Sequence, residues 1–405
     1  MKSRSSTLRR LKLTVSAVVA IVVLAAVGQY LRPIPAVHLV RTVSARVRIP
    51  GSNPTLPWPS TGEATVAVQG VGTVGSYGGN QPEAIGSVAK VMTALLVLRA
   101  HPIGVGESGP EITVTAQDVA TYHADNAAGD SVVAVATGEQ LSELQALQAL
   151  LIPSGDNIAS LLATWDAGSE SAFVAQMNQM AAKLGLRHTH YADASGVSAA
   201  TVSTAADQTR LAEVAMENPT FASIVALPQV TLPVAGLTYN VNSQVTHDDF
   251  IGVKTGWTPA AGGCFVFAAR RSVGGTPTTV VGAVLGQGGV TELGNAINAA
   301  VALVNATFAT LSSYTVIPRD GEVASLTQPW LAAVAIPAPR SLTVVGWPGL
   351  TLRTSLSPRR LSDRVAAGAV VGEFRLYSGQ FVKTITLRAP AAVPAPSIRW
   401  RLTRL

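Results

Sequence analysis

Ala84-Ile85-Gly86-Ser87-Val88-Ala89-Lys90-Val91-Met92-Thr93-Ala94-Leu95-Leu96 is the stretch on which the reading of this chain turns. Beyond Lys90 the apolar residues Val91, Leu95 and Leu98 recur at helical spacing, so Ser87 and Lys90 are expected at i and i+3 on one helix face. A hydroxyl next to an amine is a nucleophile next to its base, provided the amine is desolvated enough to lose its proton. One S-x-x-K is common by chance, and its plain alternative is a serine near a helix start with a solvated lysine.

Two further polar clusters narrow the choice. Ser154-Gly155-Asp156-Asn157 follows Pro153 and opens a helical pattern through Ala159, Leu162 and Ala163. Lys254-Thr255-Gly256 follows Phe250 to Val253 and precedes the strand-like run Cys264 to Ala269. S-x-x-K, then S-x-(N/D), then K-T-G is the order found in penicillin-recognising serine acyl enzymes.

With these residues in view, the chain from about Thr65 to Gly286 resembles the D-alanyl-D-alanine carboxypeptidases, the low-molecular-mass penicillin-binding serine peptidases. The resemblance extends to Gly138-Glu139, Leu184 to Tyr191, Asp193-Ala194-Ser195-Gly196-Val197, Ser203 to Asp207 and Asn240-Val241-Asn242. It implies an α+β (mixed α/β) penicillin-binding, β-lactamase-like catalytic domain followed by a small all-β domain. It also implies hydrolysis of the terminal D-alanine from peptidoglycan stem peptides through an acyl-enzyme, with inhibition by β-lactam antibiotics. By resemblance Ser87 is the nucleophile, Lys90 its base and Ser154 a proton relay. Lys254, Thr255, Gly256 and Asp156 bind substrate, and the N–H groups of Ser87 and Trp257 form the oxyanion hole. Neither a cofactor nor a metal is implied.

One position departs from the pattern. The family usually reads S-G-N, whereas Asp156 stands in the asparagine slot and Asn157 follows it. An ionised carboxylate only accepts hydrogen bonds, so substrate contact should weaken, and a carboxylate beside Lys90 favours the charged amine. The alternative is a shifted turn in which Asn157 takes the slot, and Ser154 in turn has a plain alternative as a helix cap.

Composition agrees with an exported enzyme. Lys2, Arg4, Arg9, Arg10 and Lys12 precede an apolar run from Leu13 to Gly28, the pattern of a signal peptide or signal anchor over residues 1–31. Counting on to Leu31 gives a stretch just long enough to span a bilayer, so an anchor is favoured. Residues 32–60, rich in Pro and Gly, read as a linker. A catalytic domain over 61–312, a small β domain over 318–390 and a basic tail over 391–405 complete the expected organisation.

The chain carries net charge +6, unevenly placed: residues 50–317 hold 8 basic and 19 acidic residues, and residues 318–405 hold 12 and 4. For an exported protein the basic end points to anionic lipid or wall polymer rather than nucleic acid. The single cysteine, Cys264, reads as a small buried hydrophobe, and the six histidines show no metal spacing. Three rival functions remain: a class A β-lactamase, disfavoured because no E-x-x-L-N string follows Ser154; an endopeptidase or transpeptidase acting on cross-links; and a catalytically silent wall-binding homologue.

Overall fold

Strand Gly262–Val273 is buried at every position from Gly263 to Ala269, so it reads as a continuous apolar run instead of an alternating one. Both faces are covered. Cys264, Val266 and Ala268 join the apolar core around the nucleophile's helix, while on the other side Phe265 stacks on Phe250 and Phe267 meets it edge-on.

The chain is described by a computed structural model covering residues 3–404; Lys2 of the expected basic N-terminus and Leu405 of the expected tail lie outside the described residues. It divides into two units. The larger holds Pro50–Ser313 and Val345–Leu350. Its centre is a five-stranded antiparallel sheet in the order Phe250–Thr258, Gly262–Val273, Thr276–Gln287, Glu63–Val68, Gly72–Tyr77. The first hairpin of the unit is thus zipped to its last strand, with Val68 opposite Val280 and Glu63 opposite Leu285. Helices Glu292–Thr310 and Ala205–Ala215 both pack on this sheet.

Between the two edges of the sheet the chain is largely helical. Helices Glu143–Leu151 and Glu170–Leu184 lie in this stretch, and helix Glu292–Thr310 follows the last strand of the sheet. Helix starts follow local chemistry. Ser142 and Gln145 form a capping box, as do Thr115 and Asp118, and Asn218 caps a helix with Pro219 in its first turn. Helix Lys90–Ala100 is buried from Lys90 to Leu98, polar residues included, and Thr93 anchors it by donating to the Ala194 carbonyl at 2.7 Å.

The smaller unit holds residues up to Ile49, Tyr314–Val344 and Thr351–Leu405. It contains a three-stranded sheet (His38–Arg41, Glu322–Gln328, Leu331–Pro337) and a four-stranded one (Arg46–Arg48, Thr351–Pro358, Val370–Ser378, Phe381–Arg388). Residues 32–60 are therefore not simply a linker, since His38–Arg41 and Arg46–Arg48 each supply an edge strand. The physical reason is burial of Val37, Leu39 and Ile49, short apolar points within a Pro- and Arg-rich stretch. Nor is the segment 391–405 a free tail: Val393 bridges to Val365, and Ile398–Thr403 forms a helix. The N-terminal helix runs Ser3–Leu31.

Cys264 is buried, its thiol pushed up to about 12 by burial, which fits the inert reading. A different group is uncomfortable in its setting. Glu143 is fully buried, and among the described residues neither of its carboxylate oxygens has a hydrogen-bond partner. Burial, with Asp166 nearby, raises its pKa to about 7. A raised carboxyl favours the folded state below its ordinary value of 4.5, and this contribution is lost as pH climbs through about 7. Thermal melts should therefore show the wild type losing stability relative to Glu143→Gln, on the order of 1–2 kcal/mol between about pH 5 and 8. Parallel melting curves for the two proteins would refute a buried, titrating Glu143.

Candidate active site

Ser87 lies in a short 3₁₀ turn, Gly86–Ala89, that runs directly into helix Lys90–Ala100. The tighter turn keeps i and i+3 side chains in line. Lys90 Nζ sits 2.8 Å from Ser87 Oγ, 2.5 Å from Asp156 Oδ1 and 3.1 Å from the Ser195 carbonyl oxygen. The lysine is 0% exposed and Asp156 is 4% exposed, so the ion pair is shielded from solvent, whereas Ser87 is only partly buried.

Two opposing influences act on that amine. Burial is the larger and lowers its pKa from the usual lysine value, while Asp156 pulls it back up, aided by Asp193 and Asp130. Asp156 thus favours the charged amine, as its place beside Lys90 in the sequence motif implies, but burial outweighs it. Lys254, 1% exposed, lies well below the ordinary lysine value through burial, and Lys90 lowers it further. Two buried amines that feel each other cannot both be cations cheaply, and Asp156 is the carboxylate that acts on both.

Asp156 is firmly held in the slot beside Lys90. Its Oδ2 accepts from the Ser131 amide at 2.9 Å, and its own amide donates to the Ser131 carbonyl at 2.7 Å. Asn157 instead exchanges two 2.9 Å hydrogen bonds with the Val133 backbone. The shifted-turn alternative is therefore not realised. Ser154 is buried, with a left-handed backbone at φ 70°, and the helix cap is Gly155, which excludes the capping role for its hydroxyl. The partners of the Lys90 amine are Ser87, Asp156 and Ser195; Ser154 is not among them.

The K-T-G strand presses on the nucleophile's turn, and glycine permits it. A Cβ on Gly256 would lie 2.8 Å from the Ile85 carbonyl oxygen, 2.9 Å from Val88 N and 3.0 Å from Ser87 N. One on Gly86, at φ 54°, would meet Trp257 N at 3.0 Å. Gly256 therefore contributes closeness, and the amides of Ser87 and Trp257 lie on the two backbones it brings together. Lys254 Nζ donates to the Thr255 carbonyl at 3.0 Å, and Thr255 is buried. The Trp257 ring is half exposed, and its indole N–H donates to the Glu292 carboxylate.

The third wall escaped the reading of the sequence as chemistry. Asp193 Oδ2 accepts from Ser195 Oγ and from the amides of Gly196 and Ser198, and this bent loop delivers the Ser195 carbonyl to Lys90. Gly196 at φ 89° lets it pass the nucleophile's turn, for a Cβ there would fall 1.9 Å from the Gly86 carbonyl oxygen. The signal was present in Asp193-Ala194-Ser195-Gly196, but a backbone carbonyl has no side-chain signature.

Comparison with known proteins agrees with this geometry. The D-alanyl-D-alanine carboxypeptidase family model matches residues 75–286, just over half of the chain. A D-alanyl-D-alanine carboxypeptidase of Streptomyces sp. (strain K15) is 33% identical over 218 residues, covering 49% of this chain and 71% of the relative. A D-alanyl-D-alanine endopeptidase of Pseudomonas aeruginosa is 28% identical over 211 residues, with 49% and 62% covered. Among solved structures, the Streptomyces K15 DD-transpeptidase superposes with a TM-score of 0.55 at 28% identity, over 64% of this chain and 100% of that one. Because the match opens before the nucleophile's turn and closes at the end of the sheet that faces it, the chain belongs to the D-alanyl-D-alanine carboxypeptidase family.

Proposed function

We propose that this chain is a serine-type D-alanyl-D-alanine carboxypeptidase in which Ser87 and Lys90 form the nucleophile and its base. The observation that carries the assignment is the buried amine 2.8 Å from the Ser87 hydroxyl. A solvated lysine stays protonated at neutral pH, whereas burial raises the neutral fraction that can take the serine proton. Ser87 then attacks the carbonyl joining the two terminal D-alanines. The amides of Ser87 and Trp257 receive the developing oxyanion. Lys254 and Thr255 hold the free carboxylate of the chain end, and Ser154 passes a proton to the leaving amine. Water releases the acyl-enzyme, and a penicillin follows the same path but leaves slowly.

The substrate is the peptidoglycan stem peptide, which locates the reaction outside the cytoplasm. We further assign the N-terminal helix as a membrane anchor. Residues Thr7–Leu31 have mean hydropathy 2.4 and are unburied, long enough to cross a bilayer. The second apolar helix, Glu292–Thr310, packs on the central sheet and is a core element. A second activity, cleavage of cross-links, is favoured by the likeness to the Pseudomonas aeruginosa endopeptidase.

Ser87→Ala should abolish covalent penicillin labelling and lower D-alanine release by about 10⁴-fold or more, with an unchanged melting curve. A persistent adduct on the mutant would show that the nucleophile lies elsewhere. Rapid turnover of the label by the wild type would favour the β-lactamase alternative, and absence of any label the silent binder.

Asp156 sets the pH at which the base is free. Removing its charge takes away the strongest influence opposing burial at Lys90, so Asp156→Asn should shift the acylation profile to lower pH. Single-turnover penicillin acylation between neutral and alkaline pH measures this. An unmoved profile would mean that the proton balance of the lysine does not control acylation.

A further inference from the structure

Pro33 and Pro35 stop the N-terminal helix and carry no N–H, so the carbonyls of Gln29 and Leu31, four residues earlier, lose their normal donors. The far end of the chain supplies a donor to the Gln29 carbonyl and to others beside it. Arg404 donates to the carbonyls of Pro33 at 3.0 Å, Arg32 at 2.5 Å and Gln29 at 3.4 Å. Arg401 donates to the Tyr30 carbonyl at 2.8 Å and lays its guanidinium 3.9 Å from the centre of the Tyr30 ring. Gln29 returns a hydrogen bond from its amide to the Arg404 carbonyl. Cations on the carbonyl end of a helix are favourably placed against its dipole.

The clasp is carried by helix Ile398–Thr403, capped by Ser397. Trp400 packs edge-on to Trp330 with ring centres 5.5 Å apart, and the Trp330 indole N–H donates to the Pro394 carbonyl at 2.9 Å. All these residues belong to the strand-rich unit. Residues 29–35 and 394–404 together contain Arg32, Arg399, Arg401 and Arg404 and no acidic residue. Among the described residues none of the four forms an ion pair with Asp or Glu. Ile398 and Leu402 stand exposed on the same short helix. The patch is thus cationic, aromatic and partly apolar, with no Asp or Glu counterion among the described residues.

Its location gives the partner. At 1.5 Å per residue, Lys12 to Leu31 spans about 29 Å, close to the hydrocarbon thickness of a bilayer. Tyr30, Trp330 and Trp400 then fall at the outer boundary, where amphipathic rings and arginine heads are most stable. We propose that the clasp formed by residues 397–404 on the end of the N-terminal helix is a docking surface for anionic phospholipid headgroups of the outer leaflet, whose phosphates neutralise Arg399, Arg401 and Arg404. The end of the N-terminal helix and residues 397–404 meet there, and the strand-rich unit is held at the bilayer by two points.

The inference rests on the N-terminal helix spanning the membrane, and the test separates the two. The full chain and an Arg401→Gln/Arg404→Gln variant are placed in nanodiscs of zwitterionic lipid with or without phosphatidylglycerol, and hydrogen exchange of amides 398–404 is followed. Phosphatidylglycerol should slow exchange roughly tenfold in the wild type, with little effect on the variant. Penicillin labelling of both proteins checks that the variant folds, and resistance to alkaline carbonate extraction from vesicles checks that the helix spans. Equal exchange in both lipids with carbonate resistance intact would overturn the headgroup surface alone. Release of the wild type by carbonate would overturn the spanning helix and the surface with it.

Discussion

An amine enclosed on all sides is the constraint around which the larger unit is built. Lys90 begins a helix whose next eight residues are buried, so its charge cannot be hydrated and must be met by Asp156 or given up. That requirement draws in the Ser131–Val133 loop to hold the carboxylate and the Asp193–Ser198 loop to offer a carbonyl. The same burial that costs stability supplies the free base needed for acyl transfer.

Closeness is achieved by leaving side chains out. Gly86, Gly196 and Gly256 come from three separate parts of the chain, and each marks a point where a Cβ would strike neighbouring backbone. The K-T-G strand can reach the nucleophile's turn only as far as those glycines allow. Site geometry and backbone packing are here one problem, which is why so short a set of motifs identifies so large a fold.

What could be read in the sequence follows from how locally each feature is determined. The helix after Ser87 and the strand after Lys254 are specified by apolar periodicity within about a dozen residues, and both were legible. The strands His38–Arg41 and Arg46–Arg48 were not, because their partners lie near residues 325 and 352 and their own composition suggests a linker. The pairing of Asp156 with Lys90 was readable from the motif, but the outcome of burial against charge needed the surroundings. The arginine clasp has no motif, since it joins residues some 370 positions apart through backbone carbonyls.

Those early strands have a consequence for the order of events as the chain folds during its synthesis. Residues 38–49 belong to one unit and 50–313 to the other, so the catalytic unit is inserted within the strand-rich one. The inner unit can close its sheet once residue 287 has emerged, by pairing Thr276–Gln287 with Glu63–Val68. The outer unit must wait with two unpaired strands until the chain has been synthesised beyond residue 353. Closing such a long loop is entropically less costly when its interior has already condensed. Assembly therefore proceeds from the inside outward, and the enzyme has its catalytic fold before the parts that flank it have found each other.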